Sequence, residues 1–173
     1  MDPISVLVSF CIEYIFNHFN GKELLKIMTV NKSWHQSISL SSFLMSRLKL
    51  EIRTDWLMKL EDVKDIAERS DRAYSHFLVS DGDSVMEDIL EILSHPRRRW
   101  KSVQVYQVDF SSSDEIEEFM GNLEETVESM TLQQVAVYDN SALKLNNFKK
   151  LQTLEIFYVD SLLLKPLFNA AVN

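Results

Sequence analysis

WKSVQV at residues 100–105, VESMTL at 127–132 and LQTLEI at 151–156 share one pattern, apolar-x-x-apolar-x-apolar, and its reading decides the fold. The central residues Val103, Met130 and Leu154 lie 27 and then 24 residues apart. Apolar residues two apart mark a half-buried strand, and recurrence at a short fixed interval marks stacked strand-and-return units. Two weaker copies precede these. YSHFLV at 74–79 places Phe77 26 residues before Val103, and LKLEI at 48–52 places Leu50 27 residues earlier again. Five units are therefore expected.

Each return segment should be a helix with one buried side. Ile116, Phe119, Met120 and Leu123 stand at i, i+3, i+4 and i+7, and Met86, Ile89, Leu90 and Leu93 repeat that spacing. A third helix is expected across Trp56, Leu57, Leu60, Val63, Ile66 and Ala67. Ser112 before Glu115, and Ser84 before Glu87, have capping-box spacing. Tyr138 to Lys150 reads as a shorter, irregular connection. Strand, crossover helix and next strand predict an α/β protein with a parallel sheet on one side and helices on the other. The period resembles that of leucine-rich repeats, implying a short solenoid of about five degenerate units over residues 46–173. Where that family carries asparagine or cysteine this chain has Val108, Val135 and Val159. An ordinary α/β domain is the alternative.

Residues 1–45 differ. In ISVLVSFCIEYIFNHF, residues 4–19, Val8, Cys11 or Ile12, Ile15, Phe16 and Phe19 fall along one side of a helix. Asn20-Gly21 reads as a stop because both residues tolerate left-handed backbone. Leu24, Leu25, Ile27 and Met28 begin a second short helix, and Val30 and Trp34, four apart, a third. The order Leu7, Ile15-Phe16, Phe19, Leu24-Leu25 and Val30-Asn31-Lys32-Ser33-Trp34 resembles the F-box over about residues 5 to 40. Val8 stands where that family usually has proline, and Phe10 where an acidic residue is common.

The resemblance implies a three-helix module that docks the Skp adaptor, and through it a cullin, by way of Leu7, Val8, Ile12, Ile15, Phe16, Leu24, Leu25, Val30 and Trp34. The chain would then be a non-enzymatic substrate receptor of a cullin-RING ubiquitin ligase. The residues themselves agree in kind, since three such short helices cannot bury so many large side chains among themselves. The alternative is a free-standing repeat scaffold whose first helices only cap the solenoid.

Strand parity locates the target surface. If Val103 and Val105 point inward, then Ser102, Gln104 and Tyr106 point out, and the same rule exposes Leu78, Gln133, Glu155 and Phe157. Leu78, Gln104, Tyr106, Gln133, Glu155 and Phe157 are the candidate contacts to an as yet unidentified protein target. The aromatic members would be anchors.

Composition sets the remaining bounds. The chain has 173 residues, 46% hydrophobic and 25% charged, with three glycines and three prolines, which suits a helix-rich folded protein. A net charge of -8 makes nucleic acid a poor partner. The basic run Arg97, Arg98, Arg99 and Lys101 follows Pro96 at an expected helix end, where cations complement the helix dipole. The one cysteine, Cys11, precludes an intrachain disulfide and favours a reducing compartment, cytoplasmic or nuclear. The run Ile4 to Phe16 is too short to span a bilayer, so no membrane is expected. His18, His35, His76 and His95 have no ligand spacing, Asp81-Gly82-Asp83 lacks the register of a calcium loop, and no phosphate-cradling or nucleophile motif occurs. Neither a metal nor another cofactor is expected. The ending, Leu162 to Leu164, Leu167 and Phe168 before Ala170 to Asn173, leads us to expect an apolar C-terminal edge or further repeats.

Overall fold

A computed structural model describes residues 11–54, 59–69, 74–81, 85–96, 98–139 and 143–171. Five strands, β1 (Lys49–Arg53), β2 (His76–Ser80), β3 (Ser102–Phe110), β4 (Ser129–Val137) and β5 (Thr153–Phe157), form one parallel sheet in the order of the chain. Residues 11–16 are helical (α1), followed by α2 (Gly21–Met28), α3 (Lys32–Leu40) and α4 (Ser42–Met45). Between and after the strands come α5 (Leu60–Arg69), α6 (Met86–Ser94), α7 (Ser113–Gly121) and α8 (Ser161–Ala171). The protein is thus an α/β protein with a parallel sheet. The stretch expected to be irregular before β5 carries no helix or strand among its described residues, 143–150.

The sequence repeat is the pairing register. Leu50, Phe77, Val103, Met130 and Leu154 are aligned across all five strands, and so are Ile52, Val79, Val105, Leu132 and Ile156. One slip would turn every one of these side chains to the opposite face, so burial of one face holds the register. Phe77, Val79, Val103, Val105, Met130 and Leu132 are fully buried against Ile89, Ile92, Ile116, Phe119 and Leu123. Trp100 fills the gap before β3, its ring 5.2 Å from that of Phe77 and its indole Nε1 donating to the Leu93 carbonyl at 3.1 Å.

A second repeat lies in the backbone. Asp81, Gln107, Gln134 and Tyr158 take φ of 54°, 52°, 54° and 55°. They occupy corresponding places, each one residue past the last position that alternates with the core. A left-handed residue inserted there resets the pleat, as a bulge does. Hence Tyr106 and Gln107 both leave the core while Val108 and Phe110 re-enter it, and Gln133 and Gln134 do the same before Val135 and Val137. Val108 and Val135 are buried and paired in register, so apolar packing occupies the place of an asparagine ladder. At the other end of the strands the carbonyls of Ser75, Lys101 and Glu128 each accept two N–H groups from the next unit, at 2.8–3.2 Å.

Several local expectations change. Asn20 does not stop a helix in left-handed conformation; it is extended and opens α2, its Oδ1 accepting from Glu23 N while the Glu23 carboxylate accepts from Asn20 N. A Cβ on Gly21 would lie 2.4 Å from the Arg47 carbonyl oxygen, so close approach requires the glycine. Val30 precedes α3 rather than sharing it with Trp34, because Asn31 takes the cap and accepts from Trp34 N. Ser112 caps α7 as expected, whereas Glu115 reaches back to Ser111 N. Ser84, Trp56 and Leu57 lie outside the described residues, and α6 begins after Val85 without a side-chain cap. Arg98 is buried and donates to the Ile92 and Ile66 carbonyls, in the last turns of α6 and α5.

Candidate interaction surfaces

The helical end is joined to the sheet by one apolar cluster that runs without a break from Phe16, Leu24, Met28 and Ile38 through Leu44, Met45 and Leu48 to Leu50. Two expected docking residues are therefore core residues. Phe16 is 3% exposed and Leu24 0%, because α1 and α2 fold onto α3 and α4, with Phe16 edge-on to Trp34 at 5.6 Å. Ile15, at 54% exposed, Leu25 and Val30 do face outward, and Ile12 and Trp34 are half-buried. Leu7 and Val8 lie outside the described residues.

Around Ile12 an apolar side and a polar side meet, the polar one a depression of about 770 Å³ lined also by Glu13, Ser33, Gln36, Ser37 and Ser41. Ile12, Ile15, Phe16, Phe19, Ile27 and Trp34 line a cleft of about 220 Å³. Beside it a wider depression of about 580 Å³ is lined by Cys11, Glu13, Tyr14, Ile15, Asn17 and Phe43. Tyr14, Leu40 and Phe43 are exposed as well. Arg47 pins this end, its Nη1 donating to the Asn17 carbonyl at 2.5 Å and the Phe19 carbonyl at 3.1 Å, and Glu13 accepts from the Ser41 hydroxyl.

The sheet face opposite the helices carries the other set. Lys49, His76, Ser102, Ser129 and Thr153 form one row across the strands. Glu51, Leu78, Gln104, Thr131 and Glu155 form the next, then Arg53, Ser80, Tyr106, Gln133 and Phe157. Gln104, Tyr106 and Gln133 are half-buried, and Glu155 and Phe157 are exposed. Leu78 is the correction: it lies in the outward row but is only 5% exposed. Lys49 Nζ donates to Gln104 Oε1 at 2.7 Å from the two strands flanking β2, and that bridge covers it.

Desolvation pulls the Lys49 ammonium below the ordinary lysine value, with Glu51 opposing. Desolvation also lowers His76, against a hydrogen bond to the Ser46 backbone; Lys101 and Lys49 lower it further and Glu128 raises it. Glu51 pairs with Arg53 at 2.5 Å, and Thr131 donates to Glu155 at 3.2 Å.

Sequence parity missed the second half of this face. At and just past the left-handed positions, Gln107, Asp109, Gln134, Tyr138 and Tyr158 also point away from the core, and the Tyr138 hydroxyl donates to Asp109 at 2.7 Å. The signal was present as a break in alternation: Val103, Val105, then Val108, a step of three. Among the described residues no three of His, Cys, Asp and Glu gather into a metal-binding group, and no helix is long and apolar enough to cross a membrane. No protein family, curated protein or solved structure matches the chain.

Proposed function

We propose that this protein is a substrate receptor of the F-box type, a non-enzymatic subunit that carries a target to a cullin-RING ubiquitin ligase in the cytoplasm or nucleus. Residues 1–45 would dock the Skp adaptor, and residues 46–173, read as a short leucine-rich-repeat-like solenoid, would hold the target. The observation that carries this reading is the apolar cleft lined by Ile12, Ile15, Phe16, Phe19, Ile27 and Trp34, with Leu25 and Val30 exposed on the same helical end, which lies where the F-box resemblance falls. Phe16 and Leu24 then serve to shape that surface from beneath. The mechanism is proximity: a held target experiences a high effective concentration of the ubiquitin-charged enzyme.

The test is co-purification of the Skp adaptor with the intact chain and with Ile15→Asp and Leu25→Asp variants. Capture by the parent and loss by both variants, with helical circular dichroism unchanged, is the expected result. No capture by the parent chain overturns the reading. A second reading, a free-standing scaffold, is favoured by the unbroken core from Phe16 to Leu50, which is what a cap on the sheet would need. It expects no adaptor with any variant.

A further inference from the structure

The end of the sheet face where the strands reach their left-handed residues has its own chemistry. Tyr106, Tyr138, Phe157 and Tyr158 all lie there, with Tyr158 86% and Phe157 49% exposed. The carboxylates at this end, in or just after strands β2 to β5, are Asp81, Asp109, Asp139 and Asp160, while Arg53 of β1, paired with Glu51, stands at the far end of the row that holds Tyr106 and Phe157. Asp109 holds the Tyr138 hydroxyl, Asp81 accepts from Ser80, and Asp160 accepts from Leu162 N at the start of α8. The β1 edge of the same face carries Lys49 and Arg53 against one carboxylate, Glu51. The cations of the face therefore lie on β1, and the carboxylates gather with the aromatic rings toward β3, β4 and β5.

We infer that this aromatic and acidic rim takes an extended peptide segment rich in lysine or arginine, the target's contact with the face. This rests on the reading of that face as the target surface. Aromatic rings attract cations over their faces, and nearby carboxylates add a Coulomb attraction for the same cation. Charge selects the occupant: an acidic segment would meet four carboxylates, whereas a basic one meets complementary charge on both ring faces and carboxylates. The double outward positions suit an extended chain, because two consecutive side chains per strand widen the strip across β3, β4 and β5.

The experiment measures fluorescence anisotropy of the intact chain with three short labelled peptides of one valine-serine framework, bearing lysines, glutamates or neither. Saturable binding of the lysine peptide is expected, weakened about tenfold or more in a Phe157→Ala/Tyr158→Ala variant, which leaves every ionised carboxylate in place. Asp109→Asn should weaken it less. Binding of the lysine peptide that ignores the aromatic pair would be general attraction to a chain of charge -8, and overturns the inference. Equal binding of the glutamate peptide, or no binding, overturns it as well. Adaptor capture is scored separately with Ile15→Asp, so a chain that selects the lysine peptide but captures no adaptor keeps this rim and loses the ligase reading.

Discussion

The sheet and the helical end use large side chains in opposite ways. In the sheet, each strand has a helix or neighbouring unit to lie against, so the inward residues from Phe77 to Leu132 are sealed and the outward face is mostly polar. Four short helices at the other end offer too little interior, and Tyr14, Ile15, Leu25, Val30, Leu40 and Phe43 remain in solvent while Phe16, Leu24 and Ile38 are enclosed. A single cluster joins both regions. The difference teaches that apolar content alone says little about role: in the sheet an inward residue builds the fold, whereas at the helical end neighbours one residue apart, such as Ile15 and Phe16, do opposite work.

The sharpest way to break this comparison is stability. Trp100→Ala removes the largest enclosed side chain of the sheet and the bond to the Leu93 carbonyl, and should destabilise by about 3–5 kcal/mol in urea unfolding. Phe157→Ala on the outward face should stay within about 0.5 kcal/mol. Equal losses would erase the distinction between the two faces.

Within the helical end the same contrast is drawn between adjacent residues. Phe16→Ala should cost about 3 kcal/mol, and Ile15→Ala about 0.5 kcal/mol or less, measured by thermal or urea denaturation. If Ile15 proves the costlier, the exposed surface is part of a core and not a docking site.

A smaller effect separates the backbone repeat from the side-chain repeat. Gln134 holds φ at 54°, a conformation that costs a side-chain-bearing residue about 1–2 kcal/mol and glycine almost nothing. Gln134→Gly should therefore raise stability by roughly 0.5 kcal/mol after the entropy of glycine is subtracted. A clear loss would mean that the Gln134 side chain holds the bulge.

The smallest expected effect is on pH. Burial lowers the His76 pKa below its unfolded value of roughly 6.5. The unfolded chain then binds the proton more readily, so the contribution of neutral His76 is complete above that value and is lost as pH falls toward the lower folded pKa. His76 is partly exposed, and solvent screening keeps the effect under about 1 kcal/mol. The stability of the parent relative to His76→Gln, read from urea midpoints, should fall between pH 8 and pH 5. Parallel curves would show that His76 does not sense this pH range.

What could be read from the residues was whatever repeats. The intervals separating Leu50, Phe77, Val103, Met130 and Leu154 became the sheet register, since an apolar position that recurs at one turn per unit can be buried only by stacking the units. The burial of Met86, Ile89, Ile116 and Phe119 followed from helical spacing for the same reason. Parity likewise placed Tyr106, Gln133 and Phe157 on the outward face. It failed at Leu78, where a Lys49–Gln104 bond crosses from other units, and beyond Gln107, where the backbone turns left-handed.

At the helical end the sequence by itself determined that short apolar helices form there, because spacings of three and four are properties of one helix. Only the tertiary structure decided that Phe16 and Leu24 are enclosed and that Ile15 and Leu25 are exposed, since the angle at which one short helix meets the next is set by contacts distant in sequence, such as Arg47 with the Asn17 and Phe19 carbonyls and the Gly21 approach to the Arg47 carbonyl. Local periodicity names a face; what lies against that face is a property of the whole chain.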